Sequence, residues 1–216
     1  MIELLPALAG GLAITLKLTV AAAMLGLVCA LAAGLARLAP IAPLRALAAV
    51  YVEVFRGTSA LVQLFWFYFV LPLFGVDLSA MTAGILVLGL NAGAYGAEVV
   101  RGAILAVPKG QREASIALNL TPAQAMRRIV LPQAIPAMLP PAGNLLIELL
   151  KNTALVSLIT ITDLTFSAQI LRAETLRTTE IFTLVLLMYF AAALLITFAV
   201  RWLERYLART QGRAPA

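Results

Sequence analysis

The sequence predicts an all-α polytopic membrane protein that forms a single domain over residues 1–216. Of its 216 residues, 62% are hydrophobic and the mean hydropathy is +0.99, whereas soluble domains are about 45–50% apolar. Charged residues make up only 12%, and they cluster outside five apolar runs. Each run is long enough to cross a bilayer as a helix, because an α-helix rises about 1.5 Å per residue.

Five transmembrane helices are predicted from these runs, which are Leu8–Leu35, Leu47–Phe74, Ser79–Val100, Ala134–Ile161 and Ile181–Val200. The first run contains one charge, Lys17, whose long side chain can reach towards the nearer interface. The fourth run contains Pro136, Pro140 and Pro141, so we expect its helix to be broken there.

Basic residues predict the orientation, because cytoplasmic loops of membrane proteins are enriched in lysine and arginine. With the N-terminus outside, only Arg172 and Arg177 fall in outer loops. The residues that then fall on the cytoplasmic side are Arg37, Arg45, Arg101, Lys109, Arg112, Arg127, Arg128, Arg201, Arg205, Arg209 and Arg213. We therefore expect the C-terminus and the polar loop at about 105–132 to be cytoplasmic.

Composition argues against an enzyme and against nucleic-acid binding. The chain has no histidine and one cysteine, Cys29, which excludes a disulfide framework and disfavours a metal site or histidine-based catalysis. No lysine stands in the Gly-Lys-Ser/Thr context of a phosphate-binding loop. The net charge of +6 is accounted for by the basic cytoplasmic ends. We therefore expect no cofactor, no metal and no nucleic-acid partner. The chain is expected to contact the lipid bilayer.

The only long polar interruption, Val107–Pro132, carries the local signals of two short helices. Lys109–Leu118 is amphipathic, and Asn119 suits the left-handed conformation that often ends a helix. Residues 121–124 form a Thr-x-x-Gln capping box with proline at the first helical position. Pro132 is expected to close the second helix. Two helices at an angle would form a rigid knob, a shape that usually docks into another protein.

The spacing of residues in this knob resembles the EAA loop of ABC importer permeases. The family pattern is Glu-Ala-Ala, three residues, Gly, nine residues and Ile-x-Leu-Pro, and the corresponding residues here are Glu113, Ala114, Ser115, Asn119, Ile129, Leu131 and Pro132. Ser115 and Asn119 replace an alanine and the glycine of the pattern. Asparagine accepts the left-handed conformation that glycine would supply at the corner.

Other stretches resemble the polar amino acid branch of this permease family in matching order. They are Phe55–Thr58, Val62-Gln63, Gly93–Tyr95, Ala97-Glu98, Val107–Gln111, Leu131–Ala134, Leu139–Pro141 and Lys151–Leu155. The resemblance implies the type I ABC importer permease fold in a bacterial inner membrane. It also implies a second permease subunit, identical or homologous, two copies of a separate ATPase that dock on the EAA loops, and an extracytoplasmic solute-binding protein.

The substrate class implied by the resemblance is polar amino acids and related zwitterions. Asn119-Leu120 and residues 145–162 look most like permeases assigned to ectoine and hydroxyectoine uptake. An ordinary amino acid such as glutamine, arginine or histidine is the alternative. A secondary transporter, which works without ATP, would more often show an inverted repeat and more spans.

Polar residues inside the spans are the candidates for the substrate pathway, because such residues are costly against lipid unless they are satisfied. The candidates are Asn91, Tyr95, Asn144, Glu148, Lys151 and Asn152. Glu148 and Lys151 lie three residues apart and would equally fit a structural ion pair. Glu98 and Arg101 are expected to pair across one turn. The small residues at 89, 93 and 97 are expected to serve close helix packing.

Overall fold

The structure is a computed structural model that describes residues 2–210, and its helical content is 88% with no strand in the described chain. Its α-helices are α1 (Leu5–Ala36), α2 (Ala42–Gly57), α3 (Ala60–Phe65), α4 (Ala80–Ala106), α5 (Lys109–Ala117), α6 (Pro122–Ala125), α7 (Leu131–Asn152), α8 (Leu164–Thr175) and α9 (Thr178–Thr210). Short 3-10 segments occupy Ile2–Leu4, Leu71–Phe74 and Thr153–Ile159, and turns of π type occupy Trp66–Val70 and Met126–Val130. Arg213 of the expected cytoplasmic set lies outside the described residues.

Four of these helical stretches are long and apolar enough to cross a membrane, namely Leu5–Ala36, Ala80–Ala106, Pro122–Ile159 and Thr178–Leu207. The second predicted span is not one straight helix, because α2 and the stretch Ala60–Phe74 meet at 104°. Thr58 and Ser59 are extended between them. A fifth span is present only if this bent pair crosses the membrane as one unit. The average hydropathy of Leu47–Phe74 does not reveal that two residues in the middle of this run are extended, so the bend was not predicted.

The helix that follows the polar loop is continuous, which corrects two expectations. Pro132 does not end a helix, because a π turn leads from α6 into α7 and the Leu131 N–H donates to the Met126 carbonyl five residues earlier. Pro132 lies directly after this π turn, inside the continuous helical stretch Pro122–Ile159. Pro136, Pro140 and Pro141 all lie inside α7 without breaking it. The carbonyls four residues before them receive no helical N–H and need another donor.

Small residues let α1 and α4 form the most extensive helix contact of the fold. A Cβ added at Gly93 would lie 2.6 Å from the Cys29 Cβ, and one added at Gly34 would lie 2.7 Å from the Val100 Cβ. At Gly89 it would lie 3.0 Å from the Ala22 carbonyl oxygen. Ala97 is fully buried in a cluster with Ala33 of α1, so the predicted role of residues 89, 93 and 97 in close packing is confirmed.

The apolar core lies where α1, α4 and α7 meet, and it contains the buried side chains of Leu18, Val87, Leu149 and Ile159. A second cluster packs α8 between α1 and α9. The buried Asp163 caps α8 by accepting a hydrogen bond from the Phe166 N–H at 2.9 Å. These contacts fix α4 and α7 side by side, which places their polar residues next to each other.

Candidate coupling loop and translocation site

The corner between α5 and α6 has the left-handed residue that the sequence predicts. Asn119 adopts φ 54°, and its N–H donates to the Ile116 carbonyl at 2.9 Å. The Leu120 N–H donates to the Ser115 carbonyl at 3.0 Å, so the last carbonyls of α5 are satisfied within the turn. Local hydrogen bonds therefore stabilise the corner between α5 and α6.

The predicted capping box at the start of α6 is also confirmed. The Gln124 N–H donates to Thr121 Oγ1 at 3.3 Å, and the Thr121 N–H donates to Gln124 Oε1 at 2.9 Å. Pro122 occupies the first turn, where its missing N–H costs nothing. Local hydrogen bonds thus end α5 and begin α6, which makes the knob rigid.

The knob presents an apolar tip and an acidic residue. Ile116 and Leu118 are 71% and 69% exposed, and Glu113 and Ala114 are also exposed. Ser115, in contrast, is 2% exposed, and its hydroxyl donates to the Arg112 carbonyl at 2.6 Å. Ser115 therefore packs inside the knob rather than on its outer surface.

The base of the knob is tied to the spans. Arg112 donates from Nη2 to the Ile104 carbonyl at the end of α4, at 3.0 Å. Ile129 and Leu131 are half-buried, while Pro132 is exposed. Buried Val107 and Val130 pack with Ile104 below the knob. Of the seven residues that correspond to the EAA pattern, Glu113 and Ala114 are thus exposed on α5, whereas Ile129 and Leu131 are half-buried where the loop joins α7.

Four of the six predicted pathway residues line one pocket between α4 and α7. They are Asn91, Tyr95, Glu148 and Asn152, and the lining is completed by Leu88, Ala92, Leu145 and Leu149. Asn144 and Lys151 do not line it, although both are exposed on α7. The polar positions of the two spans therefore converge at one level of the bundle.

Asn91 has a structural role that the sequence did not indicate. Its Nδ2 donates to the Phe55 carbonyl at 2.9 Å and to Gln63 Oε1 at 3.4 Å, and the residue is 8% exposed. Gln63 Nε2 donates to Thr58 Oγ1 at 2.7 Å and also reaches the Phe55 carbonyl at 3.0 Å. The two amides hold the break between α2 and α3.

Glu148 and Lys151 do not pair in the described chain. Both side chains are exposed, and no ion pair within 4 Å among the described residues includes either of them. Asn144 lies one turn before Glu148 and is exposed as well. α7 therefore carries an uncompensated polar face, which lipid alone would not satisfy.

Arg56 lies beside the pocket, and sequence reasoning assigned it no role. Its guanidinium carbon is 5.2 Å from the centre of the Tyr95 ring, within the range of a cation–π contact. The side chain is exposed and extends from the last turn of α2. The signal was available in the Phe55–Thr58 stretch, where a charge interrupts an apolar run.

A charged cluster joins the C-terminal ends of α1 and α4. Glu98 Oε2 accepts from Arg101 at 2.8 Å and 3.1 Å, which confirms the predicted pair. Arg37 also pairs with Glu98, a long-range contact that no local spacing predicts. Among the described residues, no group of three or more histidine, cysteine, aspartate or glutamate side chains could hold a metal ion.

The family described as "Binding-protein-dependent transport system inner membrane component" matches residues 22–210. A probable amino-acid ABC transporter permease of Sinorhizobium fredii is 48% identical over 205 residues, which are 92% of this chain and 86% of that protein. The L-cystine transport system permease of Bacillus subtilis is 40% identical over 79% of this chain and 73% of its own length. The glutamine transport system permease of Escherichia coli is 39% identical, with 93% of both proteins covered.

Solved structures show the same architecture. A chain from a crystal structure of an amino acid ABC transporter with histidines superimposes with a TM-score of 0.89 at 40% identity, over 95% of this chain and 96% of that one. A chain of the methionine ABC transporter MetNI in an inward-facing conformation gives a TM-score of 0.81 at 25% identity, over 95% and 98%. The fold is therefore that of an ABC importer permease.

Proposed function

The chain belongs to the family of binding-protein-dependent transport system inner membrane components, and on that premise we propose that it is the permease subunit of an ATP-driven importer of polar amino acids or related zwitterions. The observation that carries the proposal is the single helical stretch Pro122–Ile159. It begins in the docking knob and continues into the span that presents Glu148 and Asn152 to the pocket.

The knob is the proposed docking point for a separate ATPase, of which the transporter would hold two copies. Its exposed Ile116 and Leu118 form an apolar tip that fits a groove. Glu113 near the start of α5 adds an acceptor for a donor on the partner. Because the sequence has no phosphate-binding loop, ATP hydrolysis is assigned to that partner, and this chain is not the enzyme.

The polar face of α7 is the proposed wall of the substrate pathway. Glu148 and Lys151 are exposed and lack partners within the described chain, and charges in a span require protein or water around them. A second permease subunit, identical or homologous, would cover this face and leave a polar route between the two copies. An extracytoplasmic solute-binding protein would deliver the substrate to its outer end.

The proposed substrate is a zwitterion with the backbone of an amino acid. The relatives that support this class are permeases for glutamine, L-cystine and, at 36% identity in Bacillus subtilis, arginine. The resemblance of residues 145–162 to ectoine and hydroxyectoine permeases keeps these cyclic amino-acid derivatives among the candidates. An ordinary amino acid such as glutamine, arginine or histidine is the alternative that the relatives favour.

The proposed location is the bacterial inner membrane, with the N-terminus outside and the C-terminus in the cytoplasm. Support comes from the basic residues of the knob and of the helix ends, including Arg112, Arg127 and Arg201. In this orientation the knob meets a cytoplasmic ATPase. In this orientation α2 runs from the cytoplasmic side towards the outside, and the break between α2 and α3 lies at its outer end.

Reconstituted transport tests the proposal. The permease would be assembled in liposomes with a candidate ATPase subunit, a second permease subunit and a solute-binding protein. Uptake of labelled glutamine, arginine, histidine, cystine, ectoine and hydroxyectoine would then be measured with and without ATP. We expect ATP-dependent uptake of at least one of them. Uptake that proceeds without the ATPase would instead identify a secondary transporter.

A further inference from the structure

We propose that a groove along α1 binds one acyl chain of an acidic phospholipid, and that Lys17 at one end of the groove binds the phosphate of the same lipid. The groove lies among four helices, and its lining includes Met24 and Leu27 of α1, Ala92 and Gly96 of α4, Leu146 of α7 and Ile196 of α9. It is not the pocket between α4 and α7, because Asn91, Tyr95 and Glu148 do not line it. The inference goes beyond the proposed function, since the lipid would bind the subunit without being transported.

The lining of the groove is apolar. Among the described residues that line it, only Thr19 has a polar side chain, and its hydroxyl donates to the Thr15 carbonyl at 2.8 Å. The groove therefore offers no free side-chain donor to a polar solute, and it lacks the polar partners that hold ordered water. Hydrocarbon is the occupant that this chemistry fits.

The dimensions of the groove match one acyl chain. Its volume is about 460 Å³, which is about fifteen times the share of one water molecule in the liquid, about 30 Å³. Along α1 its lining runs from Thr19 to Ala30, a length of about 17 Å at about 1.5 Å per residue. One leaflet contributes about half of the hydrocarbon thickness of about 30 Å. A chain extended along α1 would therefore fill the groove over the depth of one leaflet.

Lys17 lies at the end of the groove that Thr19 and Val20 line. It precedes Val20 by three residues and Met24 by seven, so the three side chains share one face of α1. Its side chain is exposed, and within the described chain no carboxylate lies within 4 Å of it. A cation at the end of an apolar groove matches a phosphate that is joined to a hydrocarbon chain.

The level of Lys17 is that of a headgroup in the leaflet away from the knob. Arg37 directly follows α1 and pairs with Glu98 on the helix that leads into the knob. Lys17 precedes Arg37 by about 30 Å of helix, which equals the hydrocarbon thickness of a bilayer. Its neighbour Leu18 packs near the start of α4, where a Cβ added at Gly84 would lie 3.4 Å from Leu18 Cδ1. When Arg37 lies at the interface beside the knob, the ammonium of Lys17 therefore reaches the opposite interface.

A lipid fits both parts of this site, whereas a helix of a second permease copy fits only the groove. A helix seated on Val20 and Met24 would also cover Lys17 and remove its charge from water, which is costly inside a span. A phospholipid brings a phosphate together with the chain. The residues proposed to meet the second permease, Glu148 and Lys151, do not line the groove.

Native mass spectrometry of the full-length permease tests the assignment. The protein, purified in detergent, would be titrated with phosphatidylglycerol and with phosphatidylethanolamine of identical acyl chains. We expect one tightly retained lipid per chain. Phosphatidylglycerol should bind about fivefold more tightly, the factor expected for one lysine at a membrane surface.

Substitutions at Lys17 should change only the headgroup preference. Lys17→Gln should bind the two lipids with equal affinity, whereas Lys17→Arg should keep the preference because its positive charge remains. Lys109→Gln is the matched control, since Lys109 is another exposed lysine, on the knob and away from the groove. Its preference should equal that of the wild type.

Substitutions in the groove should change the affinity for both lipids. Leu27→Trp should weaken their binding at least fivefold, because the larger side chain fills the groove. Val28→Trp is the matched control on the same helix: Leu27 and Val28 are 61% and 65% exposed, but Val28 does not line the groove. The Val28→Trp variant should bind lipid as the wild type does.

Three results would overturn the assignment. If Lys17→Gln keeps the preference for phosphatidylglycerol, Lys17 does not bind the phosphate. If the two tryptophan variants bind lipid equally well, the acyl chain does not lie in the groove. If the wild-type permease retains no lipid, the groove is not a lipid site, and a dimer dissociated by Leu27→Trp but not by Val28→Trp would identify it as an interface between copies. None of these measurements involves transport, so the proposed function stands or falls by its own experiment.

Discussion

Asn91 illustrates how a polar residue inside a span can serve the backbone. Its amide bonds the Phe55 carbonyl and Gln63 at the break between α2 and α3. Breaks of this kind expose carbonyls that have no helical partner, and a buried amide removes that cost. Asn91 thus lines the pocket and at the same time maintains the bend beside it.

Replacement of Asn91 should destabilise the protein. Asn91→Ala would leave the Phe55 carbonyl with one donor fewer, and we expect a loss of about 1–3 kcal/mol, seen as a lower melting temperature in detergent. Asn144→Ala is the control, because Asn144 is exposed and makes no side-chain hydrogen bond in the described chain. Equal melting temperatures for both variants would contradict the role of Asn91 at the bend.

The charges of α7 can be tested by double neutralisation. Glu148→Gln with Lys151→Met should insert and melt like the wild type, because the two residues form no ion pair in the described chain. We expect uptake in the assembled transporter to be lost, while the affinity of the binding protein is unchanged. Near-normal uptake by the double variant would rule out a role for these charges in the pathway.

At the scale of elements, the contact between α1 and α4 depends on glycine. Gly93→Ala would place a methyl group 2.6 Å from the Cys29 Cβ and 3.1 Å from the Gly26 carbonyl oxygen. The Tyr51 hydroxyl oxygen would also lie only 2.8 Å away. Because the Gly26 carbonyl is backbone and cannot turn aside, we expect a loss of about 1–3 kcal/mol, measured as a lower melting temperature.

Gly102→Ala on the same helix is the matched control, since nothing lies within 4 Å of its added Cβ. It should be neutral or stabilising, because alanine favours the helix by up to about 1 kcal/mol over glycine. A Gly93→Ala variant as stable as Gly102→Ala would mean that α1 and α4 separate easily.

The knob should behave as a separable docking element. Glu113→Lys should abolish co-purification of the ATPase and uptake while the permease still inserts, because Glu113 is exposed. Glu174→Lys reverses another exposed carboxylate, on α8, and should do neither. Asn119→Gly should be tolerated, since glycine adopts the left-handed conformation readily. Normal transport by the Glu113→Lys variant would show that docking lies elsewhere.

Local signals predicted the elements best. The left-handed Asn119 and the capping box at 121–124 depend on neighbours in sequence, and both were predicted correctly. The bend after Gly57 was missed because its stabilising amide comes from α4. The breaks expected at the prolines of α7 do not occur. The contact between Asn91 and Phe55 joins two helices that are distant in sequence, and a single sequence does not reveal it.

For the whole molecule, orientation is the most direct test. In a Cys29→Ala background, Gln111→Cys on the knob should resist a membrane-impermeant thiol reagent in intact cells. Asp77→Cys, in the exposed loop between Leu71–Phe74 and α4, should react with it. The basic residues of the knob motivate this expectation. Labelling of Gln111→Cys from outside would reverse the orientation.

The sequence predicted the class of molecule and four of the residues that line the pocket, but not the contact of Arg56 beside it. Apolar runs and the knob pattern led to the ABC importer permease fold, which the solved structures share. Asn91, Tyr95, Glu148 and Asn152 do meet at one pocket. Arg56 was assigned no role, because its contact with Tyr95 joins α2 to α4, which are distant in sequence.

The continuous helical stretch Pro122–Ile159 is suited to act as a lever between the knob and the pocket. Along it, Glu148 lies about 39 Å from the end at Pro122, at about 1.5 Å per residue. A swing of about 5° about that end would displace Glu148 by about 3 Å, which is the length of a hydrogen bond. If the knob docks an ATPase as proposed, a slight tilt imposed there would be enough to make or break a polar contact at the pocket.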